Sequence, residues 1–202
     1  SCSKLMIRDG VVVTASGKRG VKLQARTISD GALLWEQTGN TLPTFGGFFY
    51  IPPEVFIADG QVWAQPPKGQ TIVGLDLKTG KQTKSISLAG ALTEGHHVRC
   101  YPATATDNFL MLNKRGTEFV DLQGDAGVTK HDWVRGQCRM GIVPANGMMY
   151  IPPHGCNCSI ESYVRGHHAL HSDPPPEPTD DAKRLLYGPA YDKVELQPAG
   201  SA

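Results

Sequence analysis

Residues 58–66 read ADGQVWAQP and residues 145–153 read ANGMMYIPP, and these two stretches decide the fold. An Asp-Gly or Asn-Gly pair between apolar runs is a strong signal for a β-hairpin with a two-residue turn. The stretches align without a gap at an offset of 87 residues, which places Trp63 on Tyr150. Such an offset is typical of two structural repeats, so the sequence predicts an array of similar hairpin units.

The same turn signal recurs along the chain. Turn acids or amides stand at Asp9, Asp59, Asp107 and Asn146, at spacings of 50, 48 and 39 residues. Apolar runs around them predict about four short strands per unit. Windows with the 3.6-residue spacing of a helix are hard to find, and Gly (23) and Pro (15) are frequent. We therefore predict an all-β chain of about four four-stranded β-propeller blades.

The repeats span residues 1–171, whereas residues 172–202 form a Pro-rich, charged stretch without strand alternation. This C-terminal stretch is predicted to be a tail or linker. Four blades are few for a closed ring, and open sheet edges need cover. We therefore expect a partial propeller that further blades or a partner chain complete. The start at Ser1, without an initiator Met, favours a piece of a longer or processed protein.

Charge and composition narrow the range of partners. A formal net charge of +1 with 19% charged residues provides no basic surface of the kind that binds nucleic acid. No apolar run approaches the roughly 20 residues that span a bilayer, so no transmembrane segment is predicted. Small molecules, saccharides or proteins are the remaining partner classes. The five cysteines favour an oxidising compartment, where some would pair, or a metal site.

Three of the five cysteines and a histidine fall within residues 135–158. Cys138, His154, Cys156 and Cys158 are candidate metal ligands, because thiolate and imidazole suit zinc or copper. The Cys-x-Cys spacing is tighter than that of zinc fingers and ribbons. A disulfide between Cys138 and either Cys156 or Cys158 is the favoured alternative in a secreted protein.

Residues 96–101 read HHVRCY, and on a strand His97, Arg99 and Tyr101 would share one face. These three are the candidate catalytic residues. Arginine can bind a carboxylate or sulfate through two hydrogen bonds, while Tyr or His transfers a proton. An enzyme that eliminates across a uronic acid residue requires such a set. The alternative is a hydrogen-bond network between blades, since buried polar side chains need partners.

Other side chains are assigned to structure rather than to a binding site. Trp35, Trp63 and Trp133 are predicted to pack between blades, because repeats place aromatic side chains at equivalent positions. Arg135 is expected to pair with an acid such as Asp132.

Two units resemble the A-x-D-x-x-T-G-x-x-x-W repeat of the PQQ-like (quinoprotein alcohol dehydrogenase-like) β-propellers. Residues 23–35 carry it with the acid before the glycine displaced by one position, and residues 74–84 carry it with Lys84 in place of the tryptophan. Residues 96–122 and 131–158 are similar to large secreted PQQ-like proteins of planctomycete-type bacteria. The resemblance implies a propeller fold and a periplasmic or extracellular location.

The cofactor PQQ is not expected in this chain. In the true quinoproteins a disulfide between adjacent cysteines covers PQQ, and acid and amide ligands hold a calcium ion near it. Here no two cysteines are adjacent, and no matching acid and amide pair is found.

In the large secreted relatives, a linker resembling residues 184–191, RLLYGPAY, is followed by further blades. Resemblance to this fold implies no reaction, because such propellers serve many functions.

The predicted function is that of an extracytoplasmic recognition or scaffold module of a larger protein or complex, with a disulfide-stapled blade rich in Cys and His. One alternative is a polysaccharide lyase that uses His97, Arg99 and Tyr101. The second alternative is a zinc- or copper-binding protein, or a redox protein, built on Cys138 and the His and Cys residues after it.

Overall fold

The computed structural model describes residues 2–16, 21–39, 55–64, 71–92, 100–124, 126–153, 155, 164 and 166–173 of the 202-residue chain. The chain divides into two compact units, Ser1–Leu170 and His171–Ala202. Nearly all of the predicted tail at 172–202 lies outside the described residues, so its character stays a prediction.

Within the described residues, the strands form four antiparallel sheets. Inside each sheet, every strand pairs with the next one along the chain. Sheet 1 contains β1 (Cys2–Arg8), β2 (Val11–Ser16), β3 (Val21–Thr27) and β4 (Leu33–Gly39). Sheet 2 contains β5 (Phe56–Ala58), β6 (Gln61–Ala64), β7 (Thr71–Asp76) and β8 (Gln82–Ser87). Sheet 3 contains β9 (Thr104–Ala105), β10 (Phe109–Leu112), β11 (Thr117–Asp121) and β12 (Val128–His131). Sheet 4 contains β13 (Val143–Ala145), β14 (Met148–Ile151) and β15 (His168–His171).

The predicted hairpin turns open three of the four sheets. Asp9, Asp59 and Asn146 have φ angles of 49°, 49° and 52°, and the glycine after each also has a positive φ. Two consecutive residues with positive φ form a type I′ turn, whose twist matches that of the flanking strands. Gly adopts this backbone freely, and Asp and Asn tolerate it better than other residues, which explains the pairs seen in the sequence.

The offset of 87 residues holds strand by strand. Phe56–Ala58 corresponds to Val143–Ala145, and Gln61–Ala64 corresponds to Met148–Ile151. Sheets 2 and 4 therefore begin with the same hairpin. Sheet 4 has three described strands where four were predicted.

The first strands of successive sheets are neighbours: β1 contacts β5, β5 contacts β9, and β9 contacts β13. The sheets therefore meet along their first strands and pack face against face, which is the arrangement of propeller blades. The predicted all-β propeller architecture is confirmed. In the part of the chain that is described, β13 makes no contact with β1, so the series of contacts between first strands runs from sheet 1 to sheet 4. No helix in that part is long and apolar enough to cross a membrane.

Three apolar cores fill the spaces between successive sheets. Val13 and Val62 lie in the core between sheets 1 and 2, while Trp63 and Leu110 lie in the core between sheets 2 and 3. Val62 and Trp63 serve different cores because alternate side chains of a strand point to opposite faces. The core between sheets 3 and 4 contains Met111, Val134, Ile142, Met149 and Ile151.

Trp35 fastens the outer strand of sheet 1 to sheet 2. Its indole Nε1 donates a hydrogen bond to the carbonyl oxygen of Leu77 at 2.9 Å. Its ring lies against Gly80, where an added Cβ would be 2.6 Å from the indole Cδ2. Gln37 Nε2 also donates to the Gly80 carbonyl, at 2.6 Å. The turn between β7 and β8 is thus the point where the preceding blade docks.

Lys84 occupies in β8 the position that Trp35 occupies in β4, because both stand opposite the same point of the third strand. Its Nζ donates to the carbonyl of Leu122, the counterpart of Leu77 in sheet 3, at 3.4 Å. The same ammonium lies 2.6 Å from the carboxylate of Asp59. Lysine in place of tryptophan therefore keeps the hydrogen bond between blades and adds an ion pair.

The turns after β3 and β7 use the same two side chains in exchanged places. The Thr79 hydroxyl donates to the Asp76 carboxylate at 2.7 Å, and the Thr27 hydroxyl donates to the Asp30 carboxylate. Each pair lies in a turn of the same kind. The Gly80 N–H closes the turn after β7, and the Gly31 N–H closes the turn after β3. The acid of sheet 1 was expected to be displaced by one position, and this expectation is corrected. Thr27 of sheet 1 takes the position of Asp76 in sheet 2, and Asp30 takes the position of Thr79.

One aromatic residue departs from expectation. Trp35 and Trp63 are buried as predicted, but Trp133 is 49% exposed. It follows β12 and meets the ring of His131 edge-on, with 6.2 Å between the ring centroids. Trp133 is therefore not a packing residue between blades.

Gly80 and Gly31 provide a matched test of blade docking. Both have a left-handed φ, at 69° and 73°, but an added Cβ meets the Trp35 ring only at Gly80. Gly31→Ala should lower the free energy of unfolding by about 1 kcal/mol through backbone strain. Gly80→Ala should lower it by about 3 kcal/mol because the ring must also move. Chemical denaturation measures both values, and equal costs would contradict the docking of Trp35 at this turn.

Acid should weaken the turns that close β3 and β7. The Thr79 hydroxyl and the Thr79 and Lys78 N–H groups hold the pKa of Asp76 below its ordinary value of 3.8. A lowered pKa in the folded state stabilises the protein above the ordinary value, and that stability disappears as pH falls through the lowered pKa. Asp76→Asn should therefore be less stable than the native chain at pH 7, and the difference should shrink below about pH 4. Thermal unfolding from pH 2 to 7 measures the difference, and a gap that does not change with pH would contradict this account.

Candidate functional site

Every buried polar or charged side chain among the described residues belongs to sheet 3 or to the segments on either side of it: Asn113, Thr117, Glu118, Asp121 and Arg135. Burying such groups is costly unless they have partners, so their concentration in one region makes that region the candidate site. We call the following residues the buried polar cluster: Cys100, Tyr101, Asn113, Glu118, Arg135 and Cys138.

Three backbone segments deliver these side chains. Cys100 and Tyr101 lie just before β9, residues 113–116 connect β10 to β11, and residues 132–142 connect β12 to β13. Two glycines allow the segments to approach. A Cβ at Gly116 would lie 2.4 Å from the His131 carbonyl oxygen, and one at Gly136 would lie 2.7 Å from the Tyr101 ring.

Glu118 organises the turn between β10 and β11. Its carboxylate is fully buried and accepts hydrogen bonds from the N–H groups of Lys114 and Arg115, each at 2.9 Å. A carboxylate that accepts two backbone N–H groups compensates much of its lost hydration. Glu118 therefore acts as a structural anchor for this turn.

Tyr101 is also held by its surroundings. Its ring is buried, and its hydroxyl donates a hydrogen bond to the carbonyl of Gly116. The Asn113 side-chain amide donates in turn to the Tyr101 carbonyl. These bonds link the segment before β9 to the turn between β10 and β11.

Arg135 lies at the centre of the cluster, with 1% of its surface exposed. Its guanidinium carbon is 5.6 Å from the centroid of the Tyr101 ring, which is within the range of a cation–π contact. One terminal nitrogen lies 3.6 Å from Cys100 Sγ and 3.7 Å from Cys138 Sγ. The two sulfur atoms are 2.8 Å apart and partly buried. The arrangement thus combines a thiol pair, a buried cation and a phenol.

The chain is similar to known proteins in structure but not in sequence family. No family model matches it, and no curated protein does. The solved structure of BamB from Moraxella catarrhalis is similar with a TM-score of 0.44 and 16% identity, over 70% of this chain and 39% of that chain. The computationally designed Ika8 protein is similar with a TM-score of 0.46 and 13% identity, over 74% of this chain and 42% of that chain. The chain thus spans about two-fifths of the length of each, and the blade assignment rests on its own strand pairing.

The predicted catalytic set is only partly described. His97 and Arg99 lie outside the described residues, so the meeting of His97, Arg99 and Tyr101 in one pocket stays a prediction. Tyr101 itself stands in a bend before β9 rather than on a strand. Its hydroxyl is directed to a backbone carbonyl inside the protein.

The predicted set of metal ligands is also only partly described. His154, Cys156 and Cys158 lie outside the described residues, whereas Cys138 is described and neighbours Cys100. The part of the chain that is described contains no group of three or more His, Cys, Asp or Glu side chains that could hold a metal ion. Arg135 was expected to pair with an acid such as Asp132; the Asp132 carboxylate lies 3.8 Å from Arg115.

The sequence did not reveal the proximity of Cys100 to Cys138. The two residues are 38 positions apart, and only the packing of the 132–142 connection brings them together. One signal was available, because Gly136 and Gly141 enclose Cys138 within six residues and indicate a tight turn that presents it.

Removing the Tyr101 hydroxyl tests its structural role. Tyr101→Phe should lower the free energy of unfolding by about 2 kcal/mol, because it leaves the buried Gly116 carbonyl without this donor. Tyr150→Phe is the matched control, since the Tyr150 hydroxyl reaches only the Met148 sulfur, at 3.5 Å, in an exposed setting. That change should cost less than about 0.5 kcal/mol. Equal stabilities of the two variants in urea denaturation would contradict the assigned role.

Proposed function

We propose that the chain is a segment of an extracytoplasmic PQQ-like β-propeller that serves as a scaffold or recognition module by docking further blades on its open faces. One observation carries the proposal. Ile28 is 55% exposed, whereas Leu77, its counterpart in sheet 2, is 3% exposed beneath sheet 1. The Ile28 position is therefore a docking point of the kind that sheet 1 uses on sheet 2.

The face of sheet 1 that is turned away from sheet 2 repeats the face of sheet 2 that sheet 1 covers. Leu5 and Ile7 on β1 correspond to Val55 and Ile57 at the start of sheet 2. Leu5 and Ile7 are both more than half exposed, while Val55 is fully buried. Large apolar side chains exposed on one face of a sheet in this way are typical of an interaction site. The repeat relation favours another blade as its occupant.

The outer part of the same face is polar. Lys22 Nζ lies 2.9 Å from the Glu36 carboxylate, and Gln24 Nε2 donates to that carboxylate at 2.5 Å. In sheet 2 the position of Gln24 is taken by the apolar residue Val73. An apolar centre with a polar rim is the usual composition of an interface between proteins. This pattern supports a partner blade over a small-molecule ligand.

The far side of sheet 4 supports a second docking face. Val143 is 52% exposed, whereas Phe56, its counterpart at the offset of 87 residues, is 8% exposed beneath sheet 3. Tyr150 is partly exposed, and its counterpart Trp63 is fully buried. Sheets 1 and 4 thus each expose side chains whose counterparts in sheet 2 are buried.

The five cysteines support a periplasmic or extracellular setting, where disulfides persist. The repeat chemistry supports the PQQ-like assignment, since Trp35 and Lys84 both reach the next blade from the position of the motif's tryptophan. A disulfide-stapled blade rich in Cys and His belongs to the same proposal. PQQ itself is not part of it.

Adding a blade tests the docking face directly. A copy of residues 2–54, fused in front of the chain, should raise the midpoint of thermal unfolding by about 5 °C, because half-exposed Leu5, Ile7 and Ile28 become buried. Gly31→Ala in the resident sheet should then cost about 3 kcal/mol instead of about 1, since the added tryptophan would meet the new Cβ.

The control is the same fusion with Trp35→Ala in the added copy only. It should restore the small cost of Gly31→Ala and lose part of the rise in the unfolding midpoint. If the added blade leaves both the midpoint and the cost of Gly31→Ala unchanged, sheet 1 does not dock a blade and the proposal is wrong.

A further inference from the structure

We propose that Cys100 and Cys138 form a disulfide that ties the connection between sheets 3 and 4 to the start of sheet 3. The sulfur atoms lie 2.8 Å apart, so a movement of less than about 1 Å brings them to the length of an S–S bond. The sequence predicted a disulfide between Cys138 and either Cys156 or Cys158. The described geometry places Cys100 beside Cys138, whereas Cys156 and Cys158 lie outside the described residues. This inference does not depend on the docking of further blades.

The backbone holds the two cysteines together independently of their sulfur atoms. The Arg139 N–H donates to the Cys100 carbonyl at 2.7 Å. Residues 137–141 form a tight turn, in which the Gly141 N–H donates to the Gln137 carbonyl at 2.8 Å and Arg139 has a φ of 70°. Cys138 stands in this turn. Because the main chain already fixes both residues, oxidation requires only a small adjustment of side chains.

The described surroundings favour a cross-link over a metal ion at these sulfurs. A structural zinc or copper site needs more ligands than two sulfur atoms, and the described residues contain no group of three or more His, Cys, Asp or Glu side chains that could hold a metal ion. The Arg135 guanidinium is buried and lies within 3.7 Å of both sulfur atoms. A disulfide carries no charge and fits beside it.

The reaction balances as a thiol–disulfide exchange with a small disulfide such as oxidised glutathione. One cysteine loses its proton to water, and its sulfur attacks the small disulfide, which releases one thiolate and leaves a mixed disulfide. The second cysteine loses its proton and attacks the protein sulfur of that intermediate, which releases the second thiolate. Two protein thiols are oxidised, the small disulfide is reduced to two thiols, and one S–S bond forms in the protein.

Trypsin separates the possible partners on different peptides. Cleavage after Arg and Lys places Cys100 on residues 100–114, Cys138 on residues 136–139, and both Cys156 and Cys158 on residues 140–165. The full chain is equilibrated with oxidised glutathione, its free thiols are blocked with N-ethylmaleimide, and it is digested without reduction. Mass spectrometry should find 100–114 joined to 136–139, two hydrogens lighter than the sum.

Two results would overturn the proposal. One is peptide 136–139 joined to 140–165, and the other is both Cys100 and Cys138 carrying N-ethylmaleimide after oxidation. Protection of both thiols by one equivalent of zinc alone, without a cross-link, would count against it equally.

Stability gives an independent readout. The cross-link closes a loop between residues 38 positions apart, so oxidation should raise the midpoint of thermal unfolding by about 10 °C. Cys100→Ser and Cys138→Ser should each abolish this rise, and Cys2→Ser is the matched control that should keep it. A rise that survives Cys100→Ser would show that another pair is responsible.

Discussion

The contact between the outer strand of one sheet and the turn after the third strand of the next holds the first three sheets together. Each sheet has two faces that carry apolar side chains, and a single four-stranded sheet cannot cover either one by itself. At the first junction Trp35 covers Gly80 and bonds to the Leu77 carbonyl, and at the second Lys84 bonds to the Leu122 carbonyl. These contacts set how far apart the sheets lie, and the apolar cores fill the space that results.

The third junction is built differently. In sheet 3 the position of Trp35 and Lys84 is taken by Thr129, whose short side chain is exposed. The connection at 132–142 takes over, inserting Val134 and Ile142 into the core and placing Arg135 against Tyr101. Loss of a long side chain on the outer strand thus coincides with a concentration of buried polar groups. Because polar networks are costly unless their members are satisfied, this junction constrains its residues more tightly than an apolar one.

The sequence predicted what depends on local chemistry. The Asp-Gly and Asn-Gly pairs that begin at Asp9, Asp59 and Asn146 specify two-residue turns by themselves, so these three hairpins and the offset of 87 residues were predicted correctly. The contacts between sheets could not be predicted from the sequence, because they depend on packing between residues that are distant along the chain. Placing Tyr101 on a strand misjudged the irregular segment before β9. Grouping Cys138 with its neighbours in sequence overlooked Cys100, because closeness along the chain was the only measure of distance available.

The change from Trp35 to Lys84 gives neighbouring junctions different responses to solvent. The first junction is held by a buried indole, and salts that strengthen apolar burial would tighten it. At the second junction the Lys84 ammonium crosses to the Leu122 carbonyl and is also paired with Asp59 of its own sheet; both side chains are more than a third exposed, so dissolved ions screen that pair. A salt such as sulfate would strengthen the apolar cores of both junctions, but only the second has an exposed ion pair for the salt to screen. The order in which the blades separate would then be set by the ionic medium as well as by the sequence.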